Sequence, residues 1–129
     1  MGIIERIGKV LLGGLVVTVA GVLLWRYLGP PMLLVDPWNV DIGENIPQGF
    51  HFVAQNFAMY EQINIEQNVS GRWVLVTATP IRANVWGFAE HTTPATKAPN
   101  LPGIVEYRAI GLESGKLAYS KVTVVDPFP

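Results

Sequence analysis

Metal binding, acyl transfer and phosphate binding are the chemistries that histidine, serine, carboxylates and glycine could support in this chain, and spacing decides among them. There are two histidines, His51 and His91. A metal ion needs ligands that converge on one point, usually with two of them at short spacing. Glu90 and His91 are adjacent, and neighbours on a strand point to opposite faces, so together they do not make half a site. Ser70, His91 and Asp126 have the residue types of an acyl-transfer triad. Ser70 lacks the flanking glycines of a nucleophile elbow and sits in Asn68-Val69-Ser70-Gly71, a turn sequence. The same residues match a glycosylation sequon, but the turn explains Asn68 equally well.

There is no cysteine. Disulfides, thiolate metal sites, cysteine nucleophiles and covalently attached haem are thereby excluded. Phosphate cradles of the GxxxxGK and GxGxxG types are absent. The sequence predicts no catalytic residue, no metal ligand and no cofactor, and the chain reads as a non-enzyme.

The elements that position the remaining side chains begin with a membrane segment. Mean hydropathy is +0.31, and the excess is concentrated in Val10–Trp25, VLLGGLVVTVAGVLLW, where no charge interrupts. As a helix this run is about 24 Å long, against a hydrocarbon core of about 30 Å. Ile3, Ile4 and Ile7 extend it on one side, and Tyr27 and Leu28 on the other. Lys9 and Arg26 can snorkel to the interfaces. Trp25 and Tyr27 suit an aromatic belt. Gly29, Pro30 and Pro31 stop the helix. A cleaved signal peptide would show small residues where Trp25, Arg26 and Tyr27 stand, so a signal anchor is the better reading. Arg6 at position 6 breaks the myristoylation pattern that Gly2 would begin.

Orientation follows from Arg6 and Lys9 before the helix and the absence of Lys or Arg from Tyr27 to Gly71. The N-terminus is expected in the cytoplasm and the rest in the periplasm or an equivalent lumen, as for a bacterial inner-membrane protein. Gly14, Thr18 and Gly21 fall on one stripe, widened by Gly13 and Ala20. Small residues in a stripe let another helix approach closely. Lipid and other transmembrane subunits are therefore expected partners.

The predicted organisation is a short cytoplasmic N-terminus (1–9), a transmembrane helix (10–28), a Pro/Gly-rich connector (29–49) and a β-rich extramembrane domain (50–129). Within the connector, Met32–Val35 is apolar, and Asp36-Pro37-Trp38-Asn39 reads as a turn. Phe50, Phe52 and Ala54 alternate with His51 and Val53. Phe57, Met59, Ile63 and Ile65 then mark one face of a half-buried strand, with Glu61 as the exception on it. Arg72–Thr79, RWVLVTAT, is apolar on both faces and is expected at the centre of a sheet; Pro80 ends it. Ile81–Phe88 reads as a further strand, 91–103 as a loop with three prolines, and Ile104–Ile110 with Leu117–Val125 as a closing hairpin. Such spacing argues for a small sandwich or open barrel.

Charge and aromatics bear on partners. Residues 31–71 carry the acids Asp36, Asp41, Glu44, Glu61 and Glu66 and no Lys or Arg. The whole extramembrane part nets about −3, without the basic stripe that nucleic acid demands. Trp38 and Phe50, the prolines Pro94, Pro99 and Pro102, and Phe128 in the tail are the candidate contacts to extramembrane protein partners.

Two architectural resemblances follow from these residues. Glu5 stands where a type IV pilin carries its glutamate, but Arg6 and Lys9 interrupt the uncharged helix of that family. One N-terminal span followed by a β-domain, including Asn56–Arg72, is similar in layout to a bitopic lipopolysaccharide-transport anchor with its periplasmic jellyroll. The function expected is that of a non-catalytic, single-span accessory subunit that stabilises a larger membrane complex. Energy-transducing assemblies, photosynthetic or respiratory, are the example for which such subunits are common. The alternative is a bitopic envelope protein whose β-domain binds a lipid or other apolar ligand.

Overall fold

The computed structural model describes residues 29–128. The expected helix 10–28, its stripe Gly13, Gly14, Thr18 and Gly21, and the interface residues Lys9, Trp25, Arg26 and Tyr27 lie outside the described residues. Among the described residues no helix is long and apolar enough to cross a membrane, and every regular element is a strand.

The strands are β1 (Met32–Asp36), β2 (Asn39–Asp41), β3 (Asn45–Ile46), β4 (His51–Gln55), β5 (Gln62–Val69), β6 (Arg72–Leu75), β7 (Ile81–Arg82), β8 (Ala89–Thr92), β9 (Thr96–Lys97), β10 (Gly103–Gly111) and β11 (Leu117–Val125). A smaller sheet has the order β1-β4-β8. A larger one runs β2-β11-β10-β5-β6, with β7 paired to β5. β3 and β9 form a separate ribbon.

The two main sheets share one core. Leu33, Val35, Phe52, Ala54 and Ala89 from the smaller sheet meet Val40, Ile63, Ile65, Tyr107, Ala109, Ala118, Val122 and Val124 from the larger. Phe52 packs edge-on against Tyr107 across the gap, with ring centroids 4.9 Å apart. Each fully buried side chain of the size of Phe52, Ile63 or Ile65 contributes about 1.5–3 kcal/mol of hydrophobic stabilisation. Period-two alternation puts these residues inside: β4 buries Phe52 and Ala54, and β5 buries Ile63 and Ile65.

Several expectations need correction. The stretch 29–49 is part of the domain: Leu33 and Val35 of β1 are core residues, and β2 pairs in parallel with β11. The chain leaves the smaller sheet after Asp36 and joins the larger at Asn39, with Pro37 and Trp38 between. RWVL is not central. β6 lies at the edge of the larger sheet, and Val74 and Leu75 are about half exposed. Three strands cannot cover the full width of the larger sheet, so its margin stays open whatever its composition.

Phe57 and Met59 do not extend β5. Asn56 and Tyr60 adopt positive φ, the backbone loops there, and Met59 is exposed. The strand expected over 81–88 stops at Arg82. The Asn84 side chain then accepts the amides of Trp86 and Phe88, a local turn that competes with strand pairing. The closing hairpin forms as expected, with Ile104 opposite Thr123 and Ile110 opposite Leu117.

The sandwich has two distinct ends. β1, β5, β8 and β11 start at the end where Gly29 leads into the domain, here the near end. It is built from the loops 56–61, 83–88 and 111–116. The far end holds the β5–β6 turn, the segment 93–102 and the tail after Val125.

Candidate functional site

A cavity of about 490 Å³ opens between the sheets towards the far end. Phe50, Phe52, Val76, Val105 and Val122 supply apolar walls, and Gln67 and Tyr107 the polar groups. Gln67 and Tyr107 sit opposite each other on β5 and β10. Strand alternation turns both inward, with Ile65 and Ala109 as their inward neighbours. Tyr107 is only 5% exposed, and burial pushes its hydroxyl up to about 12. Among the described residues no side-chain hydrogen bond engages that hydroxyl or the Gln67 amide.

A strap over 93–99 closes one side of the cavity, bringing Pro94, Lys97 and Pro99 to its rim. The strap is tied down at both ends. The Phe50 amide donates to Thr93 Oγ1 at 2.8 Å and the Thr93 amide to the Phe50 carbonyl at 2.9 Å. The Ala98 amide donates to Glu44, and the Gly43 amide to Pro99. Gly49 has φ +69°, and a Cβ there would run into the Thr93 carbonyl, so this junction requires glycine.

All six candidate partner contacts fall at the far end. Trp38 is 65% exposed and Phe128 85% exposed. Pro94 and Pro99 rim the cavity, and exposed Pro102 leads into β10. Phe50 is the exception in kind: it is 8% exposed and packs near Tyr107 as part of the cavity wall, so only something entering the cavity could reach it.

A second surface escaped sequence reasoning. On the outer face of the larger sheet, the Arg108 guanidinium lies 4.2 Å from the centre of the Trp73 ring and bonds Glu66 at 2.7 Å. Trp73 in turn lies beside Tyr119, with ring centroids 6.2 Å apart. Tyr119 and Glu66 flank Arg108 in register. Once the pairing is known these contacts follow, but each residue alone reads as an ordinary outward strand position.

The near end is organised by polar groups. Glu61 is completely buried. Its Oε1 accepts the amides of Glu113 and Ser114 at 3.0 and 2.5 Å, and its Oε2 accepts the Ala58 amide at 2.8 Å and the Ser114 hydroxyl at 3.0 Å. Burial opposes ionisation here, but the donors from Ser114, Ala58 and Glu113 outweigh it and hold the carboxyl below its ordinary 4.5. A Cβ on Gly111 would collide with this carboxylate. Asn56 donates to the Pro30 carbonyl, and Lys116 to the Asn56 carbonyl, each at 3.0 Å. Glu61, the one charged residue on an apolar face in the sequence, is thus a structural staple with all its donors in place.

The residues weighed for catalysis or metal binding are not assembled into a site. Ser70 lies in the β5–β6 turn with φ +53°. His51 bonds Thr92 through Nδ1 and lies 3.9 Å from Glu90. Among the described residues no group of three His, Asp or Glu side chains could hold a metal ion.

No family model matches the chain, and no curated protein is similar to it in sequence. Among solved structures it is similar to the CARDB domain of the PF1109 protein from Pyrococcus furiosus. The crystal structure of that domain, in complex with di-metal ions, matches at 12% identity and TM-score 0.40, over 74% of this chain and 93% of that one. Its solution NMR structure matches at 14% identity and TM-score 0.39, over 74% and 96%.

Proposed function

We propose that this chain is a non-catalytic, single-span accessory subunit that stabilises a larger membrane complex, and that the far end of its sandwich is where it holds an extramembrane partner. The observation that carries this reading is the convergence of Trp38, Phe128 and the Pro94–Pro102 segment at the end opposite Pro30. Exposed aromatics and proline-rich arms are the side chains from which protein interfaces draw their anchors. The stacked Trp73, Arg108 and Tyr119 add a second surface of the same composition, already ordered before any partner arrives.

Orientation completes the proposal. The helix 10–28 crosses the membrane with its N-terminus in the cytoplasm, and the sandwich stands on the periplasmic or lumenal side. The stripe Gly13, Gly14, Thr18 and Gly21 packs against transmembrane subunits, as in the photosynthetic and respiratory assemblies that commonly carry such proteins. The test is mild detergent extraction of the full-length chain followed by native sizing. Co-migrating subunits are expected, and Trp38→Ala with Phe128→Ala should release them. A monomer in the absence of any substitution contradicts the proposal.

One observation favours a second reading. The Tyr107 hydroxyl and the Gln67 amide face a cavity with apolar walls, and ligand sites commonly combine such walls with a few polar groups. A bitopic envelope protein could hold there a lipid or other apolar molecule with one hydrogen-bonding group. Mass spectrometry of the purified full-length chain should then find a co-purified small molecule, reduced by Tyr107→Phe. A chain that carries nothing through purification contradicts this reading.

A further inference from the structure

We infer that the near end of the sandwich rests on the lipid headgroups, and that Met59, Tyr60, Trp86 and Leu112 are its contacts with the bilayer. The inference rests on the reading of 10–28 as a membrane span and adds a lipid-binding surface on the folded domain.

Distance is the first argument. The uncharged run ends at Trp25, and only Arg26, Tyr27 and Leu28 separate it from Gly29. With the span ending at Leu28, one residue step of about 3.8 Å reaches Gly29, and even four steps from Trp25 cover at most about 14 Å when fully extended. The headgroup layer on one side of a bilayer is about 5–8 Å thick. The domain cannot swing away on a long tether, because the Pro30 carbonyl is held by Asn56 and Asn56 by Lys116. Whatever projects from the near end therefore lies in or against the headgroups.

What projects there is suited to that place. Met59, Tyr60, Trp86 and Leu112 are 45%, 54%, 45% and 47% exposed. They come from three separate loops that hydrogen bonds bind into one end: Phe57 to Gly87, Tyr60 to Asn84, Leu112 to Gln62 and Glu61 to Ser114. Tyrosine and tryptophan prefer the membrane–water interface because one part of the ring system is apolar and another is wet. The Glu61 carboxylate and the Asn84 side chain accept the loop amides of Ala58, Glu113, Ser114, Trp86 and Phe88, which lowers the cost of placing those amides near lipid.

Charge separates the two ends. The near-end loops expose Glu113, with Lys116 and Arg82 close by, and are near neutral. The far end exposes Asp36, Asp41, Glu44 and Asp126 against Arg72 and Lys97, and stays net negative. Anionic headgroups repel a surface of the second kind, so the aromatic far end, with Trp38 and Phe128, is not an equivalent lipid contact.

The chain has no cysteine, so single-cysteine variants can be labelled cleanly. Met59→Cys and Leu112→Cys report the near end, and Ser70→Cys and Thr96→Cys the far end. Each full-length variant is labelled with an environment-sensitive fluorophore and reconstituted into phosphatidylcholine vesicles containing a spin-labelled lipid quencher. Carbonate washing of the same vesicles reads the anchor separately. The inference predicts labels at 59 and 112 quenched at least about twofold more than those at 70 and 96, since quenching needs contact with the acyl boundary. Equal quenching at both ends overturns it. If all four labels stay unquenched in a chain that resists carbonate, this inference fails and the membrane span stands. If carbonate removes the chain, the span fails and the lipid contact falls with it.

Discussion

The two ends of this sandwich solve opposite problems with the same strands. At the near end a buried carboxylate takes four hydrogen bonds, Asn84 accepts two loop amides, and Asn56 and Lys116 tie down the incoming chain. At the far end the sheets part around a cavity, a seven-residue strap spans 93–99, and the Tyr107 hydroxyl faces that cavity with no hydrogen bond to the described residues. Buried polar groups that are fully satisfied fix one arrangement, and those left unmatched invite something to match them. The difference teaches that hydrogen-bonded polar groups are concentrated at the end where Gly29 enters the domain, and that in the proposed function recognition is left to the opposite end.

The largest expected effect breaks this comparison most easily. Glu61→Ala strands the amides of Ala58, Glu113 and Ser114 in a buried site and should cost at least about 3 kcal/mol in urea unfolding. Gln67→Ala, of comparable size on the cavity wall, should cost less than about 1 kcal/mol. Equal costs would erase the distinction between the ends. Next comes Gly111→Ala, whose Cβ would press on the Glu61 carboxylate. Overpacking of this kind should cost about 1–3 kcal/mol by the same assay.

The pH profile of stability sharpens the contrast. Glu61 titrates below 4.5 in the folded chain. Its stabilisation is complete above that ordinary value and is lost as pH falls through the folded one. Tyr107 is raised from 10.0 to about 12. Its contribution is complete below 10 and is lost as pH rises towards 12. Glu61→Gln should flatten the acid limb of the profile and Tyr107→Phe the alkaline limb, each leaving the other unchanged. At neutral pH Tyr107→Phe should change stability by less than about 0.5 kcal/mol, because the hydroxyl it removes has no partner to lose.

How much of this could be read from the sequence depended on the range of the interaction. Ile104–Ile110 and Leu117–Val125 were legible because alternation and a glycine-bounded turn are local. Asn68–Gly71 was legible for the same reason. The centre and edge of a sheet are not distinguished by composition. RWVL has the side chains of a central strand, yet Trp73 and Leu75 fall on the outer face, and Val74, opposite Gln67, lies at the sheet edge and is half exposed. The strands of 29–49 are short and separated by proline and glycine, so they read as a connector until β4 and β11 supply their partners. The cavity was invisible, because Tyr107 and Gln67 meet across strands forty residues apart. The candidate contacts Trp38, Pro94, Pro99, Pro102 and Phe128 could be picked out as residue types. Their convergence was not, since it depends on the fold bringing the strap and the tail to one end.

The measurement that tests the account most directly is a site-specific photo-crosslinking scan of the full-length chain in its own membrane. A crosslinking side chain is placed in turn at Trp38 and Phe128 and at Tyr60 and Leu112. The account predicts discrete protein adducts from the far-end pair and lipid adducts from the near-end pair. Protein adducts from the near end with none from the far end would contradict it.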